Sequence, residues 1–279
     1  MLECVVNVSE GRDGAVLAAL EAAAGPALLD LHADAHHHRS VLTLAGPDVE
    51  EAARRVAAEA VARIDLRRHA GAHPRLGAAD VVPFAPLAGS GLAEAVRARD
   101  AFARWAGGAL GVPCFRYGPE RSLPEVRRAA FAGLAPDDGP GAPHPTAGAT
   151  AVGARGVLVA YNLWLAPGTA VEVARRLARQ VRGPALRALG LDVGGRAQVS
   201  CNLVDPGAVG PGHAFDAVAA SASAAGTRVA GAELVGLVPA SVLDALPARR
   251  WAALGLDPSR TIEARLEQAG LGAGPRSSQ

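Results

Sequence analysis

The chain has 279 residues, half of them hydrophobic, ample for one or two packed cores and too apolar for a disordered protein. Formal net charge is +1 and every basic residue is arginine, so no charge excess points to nucleic acid or an anionic membrane. Cys4, Cys114 and Cys201 are scattered and odd in number, which suits a reducing cytoplasm better than a disulfide framework. MLECVVNV lacks the basic start and apolar run of a signal peptide, and no apolar stretch reaches membrane-spanning length. The expectation is a soluble cytoplasmic protein.

LECVVNV (2–8) reads as a buried strand. A helix follows over AVLAALEAAA, with Asp13 as N-cap and Gly25-Pro26 as its stop. ALLDLHA (27–33) and RSVLTLAG (39–46) read as strands. Asp48 and Glu51 have the spacing of a capping box, and Val49, Ala52, Ala53, Val56, Ala60 and Ile64 follow at helical period. ADVVPFAPL is a strand, GLAEAVRARDAFARWAGGAL a helix, VPCFRYG a strand and LPEVRRAAFAGL a helix. APDDGPGAPHPTAG (135–148) is punctuation, read from composition as an interdomain loop. The pattern then restarts: strand GVLVAYNLWL, helix TAVEVARRLARQV, strand RAQVSCNLV, helix FDAVAASASAAG, strand ELVGLVP and closing helical stretches. The order strand–helix–strand–strand–helix–strand predicts a ferredoxin-like unit. The fold class expected is α+β, two such subdomains in tandem over 1–155 and 156–279, with a disordered tail from about residue 270.

Polar residues collect in four places where α/β sheets commonly place sites: Ser9–Arg12, HADAHHHRS (32–40), HAGAHPRLGAAD (69–80) and the 139–148 loop. HADAHHH invites a metal reading, but adjacent histidines in an extended segment point to opposite faces. A surface hairpin is the preferred reading. In HAGAHPR, Gly71 and Pro74 oppose a helix that would bring His69 and His73 together. His73 stands out by its company: Pro74, the cation Arg75 and a permissive Gly77. The chain shows no GxSxG, no Walker A and no strand-anchored GxGxxG.

ECVVNVSEGR resembles the ECVPNFSEGR opening of the formiminotransferase family. LLDLHADAHHHRSVLTLAG, HAGAHPRLGAADVVPF, GATAVGARGVLVAYNLWL, QVSCNLVD and GAELVGLVP resemble further blocks of that family, in order, from residue 3 to about 239. The resemblance implies two ferredoxin-like subdomains, a homodimer and a folate site between subdomains. It implies transfer of a formimino group from N-formimino-L-glutamate to N5 of tetrahydrofolate, a co-substrate, in histidine breakdown. A separate cyclodeaminase is then expected to take the next folate step.

The family's active-site histidine falls on His73 and its folate-binding loop on Gly139–Gly148, including Pro140, His144 and Thr146. The loop differs inside, at His144 and Ala147. His38 stands where the family often has Asn, and Val5 and Val8 replace Pro and Phe. A neutral imidazole suits proton removal from N5 and proton return to the leaving glutamate nitrogen. Arg12, Arg39 and Arg75 are candidates for binding substrate carboxylates. Glu10 or Asp80 is expected to hold the cationic formimino group or to orient His73. No metal and no covalent intermediate are expected. The competing readings are a folate-dependent formyltransferase using formylglutamate or 5-formyltetrahydrofolate, a non-catalytic folate-binding paralogue, and a metal enzyme built on HADAHHH.

Overall fold

A computed structural model describes residues 1–71 and 74–272 of the chain. It divides into two compact units, Met1–Gly156 and Val157–Gln279.

In the first unit, β1 (Leu2–Val8) leads into α1 (Gly14–Ala24). Asp13 caps α1, its carboxylate accepting from the Ala15 and Val16 N–H groups, and Gly25 ends it at φ 58°, where glycine meets no Cβ penalty. β2 (Leu28–Asp34) and β3 (Arg39–Ala45) form a hairpin, followed by α2 (Val49–Arg63) and β4 (Ala79–Pro86). Then come α3 (Leu92–Ala109), β5 (Cys114–Tyr117), α4 (Leu123–Ala129) and β6 (Thr150–Ala154).

The sheet order is β2-β3-β1-β4-β6-β5. Its first four strands are mutually antiparallel. They are the sheet of a βαββαβ unit; β6 and β5 extend it in parallel. One face carries Cys4, Val6, Phe84 and Val152 against Leu20 of α1, Ala53 and Val56 of α2, and Phe102 of α3. On the other face Phe115, Tyr117, Val81 and Ala151 pack with Val126 of α4.

The second unit repeats the plan without extensions. β7 (Val159–Leu165), α5 (Val171–Val181), β8 (Leu186–Val193), β9 (Arg196–Leu203), α6 (Pro211–Ala224) and β10 (Val229–Val235) give the order β10-β7-β9-β8, antiparallel throughout. Alternate residues Tyr161, Leu163, Val199 and Cys201 face Leu177 of α5 and Val218 of α6. Short helices α7 (Ala240–Asp244) and α8 (Ile262–Gln268) follow. The fold class is therefore α+β, with the ferredoxin-like strand order in both units.

Several expectations need correction. Asp48 makes no side-chain cap bond at the start of α2; the capping box belongs to α4, where the Ser122 N–H donates to Glu125 Oε2 at 2.6 Å. α4 stops at Ala129 because Phe131 takes φ 60°, outside the helical region. The 135–148 segment is not an interdomain loop: it lies inside the first unit and leads into β6 of the first sheet. β6 escapes detection because TAVGA is built of small residues, and the Tyr117 ring lies over Gly153. β8 escapes because Gly190 reads as a breaker, whereas α5 packs directly on it: a Cβ there would clash with the Arg175 backbone. The tail expected to be disordered falls largely at 273–279, outside the described residues.

Candidate functional site

Three connections of the first unit meet at the same ends of β1, β2–β3 and β4. They are the β1–α1 loop (Ser9–Asp13), the β2–β3 turn (Ala35–His38) and the segment before β4. Glycines make the approach close. A Cβ on Gly11 would lie 2.7 Å from Arg39 N, one on Gly71 2.6 Å from His37 O, and one on Gly77 2.8 Å from Ala147 O.

Glu10 organises the first loop. Its Oε1 accepts from the N–H groups of Gly11, Arg12 and Asp13 at 2.8, 2.7 and 3.0 Å and from His38 Nε2 at 3.0 Å. Burial raises its carboxyl pKa, but these bonds and the His38 charge outweigh it and hold the group below the usual carboxylate range. Arg12 is exposed, with Nε donating to Ala35 O at 2.7 Å.

His38 sits at φ 50°, an uncommon backbone for a non-glycine residue. Its Nδ1 faces Ala70 O at 3.0 Å while Nε2 faces Glu10. The ring thus lies between a carbonyl and a carboxylate, both acceptors. The ring stacks on His69 at 3.8 Å between centroids. His69 Nε2 donates to His38 O at 3.2 Å and Arg75 NH1 donates to His69 Nδ1. Burial, then the Arg75 and His38 charges, push the His69 pKa down to about 4, so it is a neutral imidazole at pH 7.

Asp80 falls within the strand read over ADVVPFAPL. It is the second residue of β4 and fully buried. Its Oδ2 accepts from Arg39 NH1 and Arg127 NH2, both at 2.7 Å, and its Oδ1 accepts from Leu76 N at 2.6 Å. Burial alone would raise its pKa; the two guanidinium groups overcome that and bring it to about 2. Arg39 stands at the start of the strand read over 39–46. It opens β3, and its remaining nitrogens Nε and NH2 donate to Asn7 Oδ1 at 3.2 and 2.8 Å. Its fork is thus occupied by protein groups. Arg75 NH2 donates to Gly71 O at 2.9 Å.

The HADAHHH residues do not converge. Asp34 accepts from the N–H groups of His36 and His37 and from His37 Nδ1, while His38 turns to Glu10. No group of three or more His, Cys, Asp or Glu among the described residues is placed to hold a metal ion. His73 lies outside the described residues.

The 139–148 stretch contributes at one end. His144 N and Gly148 N exchange bonds with each other's carbonyls at 2.8 and 3.0 Å, and His144 Nδ1 accepts from Thr146 N and Ala147 N. Gly148 pairs with Gly77, and Leu66 N donates to Thr146 O at 2.8 Å, so this turn packs on the segment before β4. The other end is anchored differently. Gly139 (φ 84°) packs on Gly107 of α3, and Arg116 holds the neighbouring Asp138. Pro140 to Pro143 are exposed.

Sequence reasoning missed two members of this cluster. Asn7 was legible as a polar break in an apolar strand. Arg127 carried no signal, being one of many arginines on helix surfaces.

The formiminotransferase domain model for the N-terminal subdomain matches residues 1–155, and the formiminotransferase domain model matches 160–251. The chain belongs to the formiminotransferase family. It is 38% identical to glutamate formimidoyltransferase of Streptococcus pyogenes serotype M1 over 271 residues, covering 87% of this chain and 90% of that protein. It is 30% identical to the Thermoplasma acidophilum protein of the same name, covering 96% and 98%. It is 37% identical to the formimidoyltransferase-cyclodeaminase of Sus scrofa, covering 87% of this chain and 51% of that one. The chain thus spans about half the length of the bifunctional relative. The formiminotransferase matches divide near the boundary between the two compact units.

Proposed function

We propose that the protein is a one-carbon transferase that moves the formimino group of N-formimino-L-glutamate to N5 of tetrahydrofolate, releasing L-glutamate, in histidine degradation. Membership of the formiminotransferase family over both units is the observation that carries this reading. The cluster at the β1–α1, β2–β3 and pre-β4 connections supports its location.

The N5 amine attacks the formimino carbon to give a tetrahedral adduct. The bond from that carbon to the glutamate nitrogen then breaks. One proton leaves N5 and one reaches the departing nitrogen, a relay assigned to His73 as base and then acid. His69 is a poor base for this task, its pKa being near 4 and its ring nitrogens bonded to Arg75 and His38 O. Arg12, which is exposed, is assigned to the substrate carboxylates, and Arg75, with NH1 on His69 and NH2 on Gly71 O, is assigned to holding the segment before β4. Arg39 and Asp80 act from behind as positioning groups, since their polar atoms bond protein partners. Glu10 and His38 shape the loop wall, and the Gly139–Gly148 stretch, with Pro140, His144 and Thr146, is assigned to tetrahydrofolate. Holding the two reactants together supplies much of the acceleration. The reading extends to a cytoplasmic homodimer, checked by light scattering and cell fractionation, and to a cyclodeaminase as consumer of the product.

The test is turnover of formiminoglutamate with tetrahydrofolate by purified protein, followed as 5-formiminotetrahydrofolate. Turnover establishes the reaction. Absence of turnover with retained tetrahydrofolate binding overturns the donor assignment, and formylglutamate is the next donor to offer.

A further inference from the structure

Residues 70–71 and 74–76 are held by polar side chains from several elements. Ala70 O faces His38 Nδ1 at 3.0 Å, Gly71 O accepts from Arg75 NH2 at 2.9 Å, and Leu76 N donates to Asp80 at 2.6 Å. The fourth bond comes from farther away. Arg127, on α4, donates from NH1 to Pro74 O at 3.1 Å and from NH2 to Asp80 Oδ2 at 2.7 Å. Pro74 is the residue next to His73 in the chain.

We infer that Arg127 is a positioning residue for the transfer reaction, clamping Pro74 to Asp80 from the helix on the far face of the sheet. This rests on the proposed function. α4 packs by Val126 on the face opposite α1–α3, so Arg127 reaches the segment from a side that no sequence motif marks. The geometry requires a guanidinium. Two nitrogens diverge, one to a carbonyl and one to a carboxylate, where the single nitrogen of lysine serves one partner well. The side chain also balances charge: Asp80 is fully buried and takes Arg39 and Arg127 on one oxygen. Removing Arg127 leaves the Asp80–Arg39 pair intact and takes the α4 bond away from Pro74 O. Pro74 is then held less firmly beside the proposed proton carrier, and misplacement of a catalytic group by about 1 Å costs on the order of 10²-fold.

The experiment compares wild type, Arg127→Gln and Arg127→Lys in the formiminoglutamate–tetrahydrofolate assay, with thermal melts and tetrahydrofolate titrations beside it. A wild type without turnover indicts the proposed function and leaves its donor to be replaced before the variants are read. With an active wild type, the expected result for Arg127→Gln is kcat down about 10- to 100-fold with KM for both substrates within about threefold. Arg127→Lys should fall between, because it keeps the Asp80 pair and weakens the Pro74 bond. The inference is overturned by unchanged kcat in folded Arg127→Gln. It is equally overturned if all loss of activity follows loss of folded protein in the melts, or if lysine restores full kcat.

Discussion

The β2–β3 and β8–β9 hairpins occupy the same place in two copies of one strand order, yet they are closed differently. β8–β9 turns on Gly194-Gly195, both at positive φ, the residues a two-residue hairpin favours. β2–β3 turns on Ala35-His36-His37-His38, and the positive φ falls on His38. Strand pairing does not need a histidine there. The ring is bonded to Glu10 and Ala70 and stacked on His69, and those contacts hold a backbone conformation that glycine would take freely. The same contrast runs through the units. The second is a sheet with helices on its core face. The first carries a buried carboxylate shared by two arginines and three loops packed glycine to backbone.

The comparison is broken most severely at the proposed proton carrier. His73→Ala should lower kcat by about 10²–10⁴-fold while the protein melts as before, measured in the transfer assay. Asp80→Asn comes next. It leaves Arg39 and Arg127 without their shared charge, a change that typically costs about 3–5 kcal/mol. It should lower both the melting temperature and kcat, whereas no single charge removal in the second unit should do both.

The hairpins themselves give a sharper pair. Gly194→Ala, at φ 60°, should cost about 1 kcal/mol of stability and leave kcat unchanged. His38→Gly should relieve the positive φ yet lose the ring's bonds, so kcat should fall several-fold with little change in melting temperature. If both variants respond alike, the turns do not differ in role.

The smallest effect is in pH. The His69 pKa lies near 4, below its ordinary value of about 6.5, so the unfolded chain takes up that proton first as acid is added. Its stabilising contribution is complete above about 6.5 and fades toward 4. Asp80 contributes above about 3.8 and loses that contribution as pH falls to about 2. Melts of wild type and His69→Asn should therefore diverge between pH 6.5 and 4 and run parallel above it.

Much of the first unit was legible because its elements are bounded by local chemistry. Asp13 and Gly25 mark α1, and Val49, Ala52, Ala53, Val56 and Ala60 line the buried stripe of α2. Where a rule of local chemistry pointed elsewhere, tertiary contact had taken over. Gly190 lies in a strand because α5 touches it, and Gly153 because Tyr117 covers it. The cluster is legible as residue types: Glu10, Arg12, His38, Arg39, Arg75 and Asp80 all stand out in the sequence. Their partners are not, since Asp80 meets Arg39 and Arg127 across 41 and 47 residues of chain.

The amino-acid sequence alone determined the two-unit α+β plan, the family blocks and the chemistry-bearing residue types. These depend on period, capping and order along the chain, which are local properties. The tertiary structure decided which of those residues are free to meet a substrate and which serve the protein. Arg39 reads as a carboxylate binder until β1 and β4 bring Asn7 and Asp80 to its nitrogens, and Arg127 reads as a surface charge until α4 docks. A guanidinium's partners are set by distance in space, and that distance exists only once the sheet has closed.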